Sequence, residues 1–406
     1  MTPLSIWPSL AIFALALVFV TPDWPWRFLD SPQSQAGSRN VSLDGLRGFL
    51  ALAVVLHHAS ITYGFIQTGV WQLPPSSYYA LLGQVGVSLF FMITAVLFWG
   101  RLLDEGPRIN WLALYGNRFF RIAPLYLVAV GFMFAIVAYR TQFRLAVSFG
   151  ELSGQVFHWI LPGLTKSPSP INGYGTPSLI LAGVAWTLYY EWLFYISLPF
   201  LAIAALRRSV LSFIPAIAWL YVYSPTVFSD MERYFVALFA CGMFAASMVR
   251  RYPQLCGDNS VKSLVGISLL IALFASSKTA YAWGPIALLG AFFLLVSSGT
   301  TFFGLLASRG AIRLGNISYG TYLLQGLVLQ ALFSPRTLGQ LALRGAQQYW
   351  LVVLLLVLVL VLVAAATYQW VEKPGIRFGK RIVQRHAQKA TPVADPDHDK
   401  QTLKSA

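Results

Sequence analysis

Apolar stretches of about 20 residues recur along the whole chain, and such a stretch is the length an α-helix needs to cross a bilayer. Of 406 residues, 57% are hydrophobic and 11% are charged, which is more apolar surface than one soluble core can bury. The sequence therefore predicts an all-α fold, a polytopic transmembrane helix bundle of about 10–11 membrane helices. The predicted spans lie near residues 5–22, 44–63, 79–99, 121–140, 179–203, 209–223, 233–249, 263–277, 284–303, 317–334 and 348–371.

The basic residues follow the alternation that these spans create. With the N-terminus outside, 22 of the 29 Lys and Arg residues fall in cytoplasmic loops and in the tail. This is the positive-inside bias, and it indicates a multi-pass membrane protein. The net charge of +15 thus reflects membrane topology, so we expect membrane lipid and no nucleic acid among the partners.

Composition divides the chain into three segments. Residues 1–42 are predicted to form an extra N-terminal transmembrane helix and a cytoplasmic linker, residues 43–376 the main transmembrane domain, and residues 377–406 a disordered cytoplasmic tail. The first apolar stretch resembles a signal peptide, but no Lys or Arg precedes Arg27 and no small-residue cleavage site is evident, so we expect an uncleaved helix. The outer loop Thr141–Ser178 is the largest external feature, where we expect contacts to an extracytoplasmic substrate.

Several classes of cofactor site have no counterpart in the sequence. Cys241 and Cys256 stand in no CxxC or metal-like spacing. There is no Walker loop, dinucleotide fingerprint or zinc spacing. We therefore expect no metal.

Ionisable residues inside predicted spans are costly, which makes each a functional candidate. Arg47 opens the second span and His58 lies eleven residues deeper, so the two side chains share one helix face about 16 Å apart along the axis. His57 projects elsewhere, and Glu191 lies in the fifth span. A cation at the cytoplasmic mouth with an imidazole three turns deeper suits an acyl-coenzyme A donor, with phosphates near the arginine and the thioester near the histidine. The alternatives are a topogenic role for Arg47 and a packing role for His58.

Six ordered blocks between residues 43 and 374 resemble the signature of the membrane acyltransferase-3 family. The first is an arginine, ten residues and a histidine, here Leu43-Asp-Gly-Leu-Arg-Gly48 followed by an apolar helix and His58. The others are Gly86-Val-Ser-Leu-Phe-Phe-Met-Ile-Thr94 (with Thr94 where serine is usual), Arg118-Phe-Phe-Arg-Ile-Ala-Pro-Leu-Tyr126, Trp186-Thr-Leu-Tyr-Tyr-Glu-Trp-Leu-Phe-Tyr195, Leu314-Gly-Asn-Ile-Ser-Tyr-Gly-Thr-Tyr322 and Val371-Glu-Lys-Pro374, which looks like a helix-terminating end. The resemblance implies that residues 43–376 are an acyltransferase-3-like transmembrane domain.

The resemblance also implies roles for individual residues. His58 and Glu191 are predicted to be catalytic, with His58 as general base and Glu191 orienting it or binding the incoming hydroxyl. The alternative for Glu191 is a structural ion pair with one of the arginines. Arg47, Arg118 and Arg121 are predicted to bind acetyl-CoA as acyl donor. Substrate-binding residues are predicted at Trp186, Tyr322 and Asp44, although Trp186 belongs to an aromatic cluster that favours packing and Asp44 is expected to cap its helix.

Two departures from the family pattern affect the mechanism. Gln325 stands where many members have a histidine after the Tyr-Leu pair, and glutamine cannot titrate, so the general-base role falls on His58. The chain has no fused esterase-like domain, so we expect it to act alone or with a separate periplasmic partner protein.

These features predict an integral membrane O-acyltransferase that moves an acetyl group from cytoplasmic acetyl-CoA to a carbohydrate hydroxyl. The acceptor is expected to be an O-antigen of lipopolysaccharide, an exopolysaccharide or a similar glycan. Direct transfer and an acetyl-histidine intermediate on His58 both remain open. The alternative functions are a proton-coupled transporter or flippase, which the lack of an internal repeat disfavours, and a scaffold.

Overall fold

The structure, a computed structural model, describes residues 2–30, 40–161, 163, 169–205, 214 and 229–390. Within these residues the regular structure is helical, apart from one isolated bridge between Ile171 and Tyr174, which confirms the predicted all-α fold. Five helices are long and apolar enough to cross a membrane, or six if the bent pair Ile6–Phe19 and Asp23–Leu29 is one span. The chain is therefore a multi-pass membrane helix bundle.

The helices are numbered in chain order over the described residues. They are α1 Ile6–Phe19, α2 Asp23–Trp26, α3 Val41–Thr68, α4 Ser77–Glu105, α5 Trp111–Arg140, α6 Phe149–Ile160, α7 Trp186–Ala205, α8 Asp230–Arg251, α9 Ser260–Ser276, α10 Trp283–Ser297, α11 Arg309–Asn316, α12 Ser318–Leu332, α13 Gly339–Leu343, α14 Ala346–Thr367 and α15 Lys373–Ala390. Short 3-10 turns occupy Arg27–Leu29, Gly106–Arg108, Pro177–Leu181 and Pro253–Leu255.

Ten of the eleven predicted spans fall on these helices, and the remaining one, 209–223, lies outside the described residues apart from residue 214. Fewer helices than predicted are long enough to cross a bilayer. α9 and α10 have 17 and 15 residues. Those lengths correspond to about 26 and 22 Å at 1.5 Å per residue, against a hydrocarbon core of about 30 Å. α7 begins later than predicted because Ala182 and Gly183 have φ angles of 53° and 72°, which interrupt the helix.

The central helix α3 begins earlier than predicted, and its cap is a different residue. The Asn40 side chain accepts a hydrogen bond from the Leu43 amide at 3.3 Å, so Asn40 caps α3 and the expectation that Asp44 does so was wrong. Asp44 lies in the first turn, where a carboxylate complements the helix dipole. α11 crosses α3 there at very close range, since a Cβ on Gly315 would lie 1.9 Å from the Asp44 carbonyl oxygen.

One buried guanidinium holds the N-terminal segment against the bundle. Arg313 of α11 is 0% exposed, and its Nη1 donates to the carbonyl oxygens of Val20, Thr21 and Pro22 at 2.7–2.9 Å. Its Nε and Nη2 donate to the Asp30 carboxylate at 2.8 and 2.9 Å. Because α1 also packs on α3, α11 and α14, the segment before residue 31 is an integral part of the bundle.

The sequence suggested that the last long helix ends at Pro374, and this expectation was wrong. Tyr368–Glu372 form one π-helical turn, and α15 continues from Lys373 to Ala390. A π turn leaves room for the proline ring and its missing N–H, so the helix can continue. The prediction of disorder from residue 377 was therefore wrong up to residue 390, and residues 391–406 lie outside the described part of the chain.

Candidate active site

A cavity lies between α3, α4, α5, α7 and α12, and five of the predicted side chains line it. We call this cavity the chamber. Its space, including the open mouth, is about 940 Å³. Arg47 of α3, Arg118 and Arg121 of α5, Glu191 of α7 and Tyr322 of α12 line it. The rest of the wall is mainly apolar and includes aromatic side chains of α4. The fold thus brings three cations and one carboxylate from distant parts of the sequence to one chamber.

The chamber adjoins a wider vestibule at the basic end of the bundle. The vestibule measures about 2120 Å³ including its open mouth, and Arg47, Arg118 and Arg121 line both spaces. Asp44 and Asp30 also line the vestibule. Hydrogen bonds from Arg313 hold the pKa of Asp30 below its usual value, so this carboxylate stays ionised at neutral pH. The three arginines therefore stand where a long anionic ligand would pass from the vestibule into the chamber.

Arg118 and Glu191 form an ion pair inside the chamber. Nη2 of Arg118 donates to Oε2 of Glu191 at 2.5 Å, and the Tyr195 hydroxyl donates to the same oxygen at 2.6 Å. The guanidinium also lies over the rings of Tyr195 and Phe98, 5.4 and 5.8 Å from their centroids. In this arrangement Glu191 orients Arg118 rather than His58, which corrects one of its two expected roles. Its role toward an incoming hydroxyl stays a prediction.

His58 lies on the same uninterrupted helix as Arg47, as the spacing predicts. Nδ1 of His58 is 3.0 Å from the Val54 carbonyl oxygen and 3.1 Å from Oε1 of Gln325. Both partners can only accept, so Nδ1 bears the hydrogen and Nε2 keeps a lone pair. His58 is not among the residues that line the chamber, but its partner Gln325 follows the chamber residue Tyr322 by three positions on α12. With the hydrogen on Nδ1 and a lone pair on Nε2, the imidazole is in a tautomer that can act as a general base.

Gln325 has a role that the sequence analysis did not assign. It is fully buried, and its Nε2 donates to the Tyr322 carbonyl oxygen at 2.8 Å. That bond fixes the orientation of the amide and leaves Oε1 facing His58. The substitution of glutamine for the usual family histidine thus provides a hydrogen-bond acceptor for the catalytic candidate, which only the fold could reveal because 267 positions separate the two residues.

The remaining predicted residues lie in different surroundings. The Tyr322 hydroxyl is 3.1 Å from the Thr187 hydroxyl and donates to the Val184 carbonyl oxygen at 3.2 Å, and these contacts hold it against the start of α7 in the chamber wall. The ring of Trp186 packs against aromatic side chains and borders a separate recess beside α6, away from the arginines. His57 is buried with Nδ1 2.8 Å from the Tyr79 carbonyl oxygen, which is a structural contact.

The sequence analysis missed functional candidates at the end of α14 and in α15. Glu372, in the π turn, is 2% exposed, and Arg121 and Arg47 are its charged neighbours. Lys373, Arg377 and Lys380 line the vestibule together with Glu372. The Val371-Glu-Lys-Pro374 block was the available signal, but it was read as the end of a helix.

No metal site is evident in the part of the chain that the structure describes. Within it, no group of three or more His, Cys, Asp or Glu side chains is placed to hold a metal ion.

Comparison with known proteins gives two matches. A family model described as an acyltransferase domain, the acyltransferase-3 model, matches residues 40–369. The chain is also similar to "Protein 2 in picA locus" of Rhizobium radiobacter, with 30% identity over 161 residues, which cover 38% of this chain and 77% of that protein. No solved structure matches the chain.

Proposed function

Because this chain belongs to the acyltransferase-3 family, we propose that it moves an acetyl group from cytoplasmic acetyl-CoA to a carbohydrate hydroxyl, with His58 as general base. The observation that supports this most directly is the hydrogen bonding of His58, in which Nδ1 lies between two acceptors and Nε2 is left as a proton acceptor. A fixed imidazole of this kind can deprotonate an attacking hydroxyl at neutral pH.

The three arginines support acetyl-CoA as the acyl donor. Arg47, Arg118 and Arg121 line both the vestibule and the chamber, and guanidinium groups suit phosphates because they offer paired N–H donors. Arg47 and His58 are eleven residues apart on one helix, about 16 Å at 1.5 Å per residue. An extended pantetheine arm would bridge that separation, with its phosphates at the arginines and its thioester near the imidazole.

The proposed reaction is a balanced acyl transfer. The acceptor hydroxyl oxygen attacks the thioester carbonyl while Nε2 of His58 takes the hydroxyl proton. The tetrahedral intermediate collapses with cleavage of the carbon–sulfur bond, and the imidazolium returns the proton to the departing thiolate. The products are an O-acetyl ester and free CoA. Attack by Nε2 itself, which would give an acetyl-histidine intermediate, uses the same tautomer.

The acceptor and the compartment are also proposals. The six-block family resemblance supports a cell-surface or lipid-linked glycan, such as an O-antigen or exopolysaccharide. Glu191 and Tyr322, which line the chamber, are proposed to contact the acceptor hydroxyl or its sugar. The distribution of basic residues supports placing the vestibule on the cytoplasmic side of a bacterial inner membrane, where acetyl-CoA is available. A separate periplasmic protein is proposed as a possible partner for delivery to the finished glycan.

A matched pair of asparagine substitutions tests the general base. Asparagine keeps a donor near the position of Nδ1 and removes Nε2, so His58→Asn retains the hydrogen bond to Gln325 but cannot accept the substrate proton. His57→Asn makes the same change in the neighbouring structural histidine. In a host with a defined surface polysaccharide, we expect His58→Asn to reduce ester-linked acetyl groups about 100-fold or more. His57→Asn should stay within a few-fold of wild type.

Ester-linked acetyl groups would be counted by mass spectrometry and NMR, at equal membrane levels of each protein. Acetylation by His58→Asn at the wild-type level would contradict the proposal. So would uptake of a labelled glycan without covalent change, because that result identifies a transporter.

A further inference from the structure

The vestibule has a basic wall, contributed by α15, that belongs to none of the predicted donor-binding residues. Lys373, Arg377 and Lys380 line it, and their spacing of four and three residues puts them on one face of the helix. Arg381 and Arg385, further along α15, do not line the vestibule. Since Arg381 lies only about 40° around the helix from Arg377, these basic residues form one continuous cationic arc, of which Lys373, Arg377 and Lys380 are the part that borders the vestibule.

The rotation of α15 is fixed by close packing on α5. A Cβ on Gly379 would lie 2.5 Å from Cβ of Phe120, and one on Gly375 would lie 2.7 Å from Cγ of Pro124. Two glycines four residues apart let two helices approach closely, the arrangement found where membrane helices pack through small residues. The glycine side of α15 therefore faces α5, the basic residues lie on the other side of α15, and Arg118 and Arg121 of α5 line the same vestibule as those basic residues.

The three cations on this face share the vestibule with the carboxylates of Asp30, Asp44 and Glu372. Arg377 and Lys380 form no hydrogen bond or ion pair with the described part of the chain. Lys373 donates to the Phe28 carbonyl oxygen and to Oε1 of Gln369, and it is close enough to Arg377 for their charges to repel. Such crowding of like charges in a concave site raises the local concentration of polyanions.

We propose that Arg377 and Lys380 bind the 3′-phosphate of coenzyme A, and that this contact selects free CoA thioesters over donors that lack the phosphate. This inference rests on the proposed function and names the group recognised at the outer end of the same site. A terminal phosphate is dianionic, so two cations match its charge. The nucleotide stays in the wide vestibule, while the narrower chamber admits the pantetheine arm.

The test compares acetyl-CoA with 3′-dephospho-acetyl-CoA, which differs only by that phosphate. Both are titrated calorimetrically into the full-length protein in nanodiscs of phosphatidylcholine, which has no net charge. We expect wild type to bind acetyl-CoA about tenfold more tightly than 3′-dephospho-acetyl-CoA. The double variant Arg377→Gln/Lys380→Gln should lose this preference while its affinity for the dephospho compound stays within about twofold. The matched control Arg381→Gln/Arg385→Gln removes the same charge from residues of α15 that do not line the vestibule, and it should bind both compounds as wild type does.

Each other outcome overturns the inference in a distinguishable way. Equal affinity of wild type for the two compounds, or an unchanged preference in the double variant, would refute recognition of the 3′-phosphate while leaving CoA as the acyl donor. No binding of either compound by wild type would refute the proposed function as well. An unchanged preference together with weaker binding to phosphatidylglycerol vesicles would assign these cations to lipid headgroups.

Discussion

Replacing Glu191 by leucine separates the structural role of the chamber's ion pair from its proposed role in binding the acyl donor. Glu191 is the carboxylate partner of Arg118, and the side chains are 14% and 21% exposed. Nε of Arg118 has no hydrogen-bond partner among the described residues, so the positive charge of this guanidinium is stabilised by Glu191 and by the faces of two aromatic rings. Loss of one member of such a buried pair leaves the other charge uncompensated.

The size of the effect follows from these contacts. Removing one partner of a buried pair costs about 3–5 kcal/mol, and the partial exposure here favours the lower end, about 3 kcal/mol for Glu191→Leu. Arg118→Met should cost about 2 kcal/mol, because Glu191 keeps the hydrogen bond from the Tyr195 hydroxyl. The double variant removes both charges and leaves only that hydroxyl without its acceptor, so it should also cost about 2 kcal/mol. The coupling free energy between the two residues is then about 3 kcal/mol.

The assay is unfolding in mixed micelles, followed by tryptophan fluorescence, combined with titration of acetyl-CoA. The double variant should be more stable than Glu191→Leu and yet fail to bind acetyl-CoA, because Arg118 is absent. Arg101→Met/Glu105→Leu is the matched control, an ion pair with side chains 39% and 33% exposed, where coupling should stay below about 0.5 kcal/mol. Additive costs in the chamber would refute the structural argument, and wild-type affinity of the double variant would remove Arg118 from the acyl-donor site.

Two further predictions concern positioning. Gln325→Leu removes one of the two acceptors that hold Nδ1 of His58, so turnover should fall about tenfold with acetyl-CoA affinity unchanged. The control Gln330→Leu lies on the same helix but is bonded to Arg140, so it should not change turnover. An equal loss of turnover in both variants would contradict the orienting role of Gln325. Gly379→Val would force α15 away from α5 and should weaken acetyl-CoA binding at least tenfold in a titration. The control Gly131→Ala, on α5 with nothing within 4 Å of the added Cβ, should leave binding intact. Wild-type affinity of Gly379→Val would show that the packing of α15 on α5 does not matter for binding of acetyl-CoA.

The features that the sequence predicted well are those that local spacing encodes. The relation of Arg47 to His58 follows from an uninterrupted apolar helix, and α3 is such a helix from Val41 to Thr68. Arg118 and Arg121 lie three positions apart, so they share a face of α5 and line the same two spaces. Helical periodicity determines these relations whatever the rest of the chain does.

Local spacing does not identify the partners of those residues, because they come from distant parts of the chain. The sequence offered an ion pair of Glu191 with one of the arginines as an alternative, but not which arginine. Glu191 is 73 positions from Arg118. Gln325 is 267 positions from His58. From the sequence alone, a glutamine at a position where the family resemblance implies a histidine could equally mean that the function of that position has been lost. The continuation of the last helix was missed for a different reason. Pro374 normally signals a helix end, and only the π turn before it allows α15 to follow.

The contacts of the N-terminal segment bear on how much of the chain forms the proposed acyl-donor site. The family match begins at residue 40, yet Asp30 lines the vestibule, and its carboxylate is held by Arg313, which lies inside the matched region. Lys373, at the start of α15, donates to the carbonyl oxygen of Phe28, so the segment also contacts the helix that forms the basic wall. Residues on both sides of the family domain therefore shape the vestibule. If specificity for the acyl donor differs between family members, these flanking segments should account for more of the difference than the chamber does.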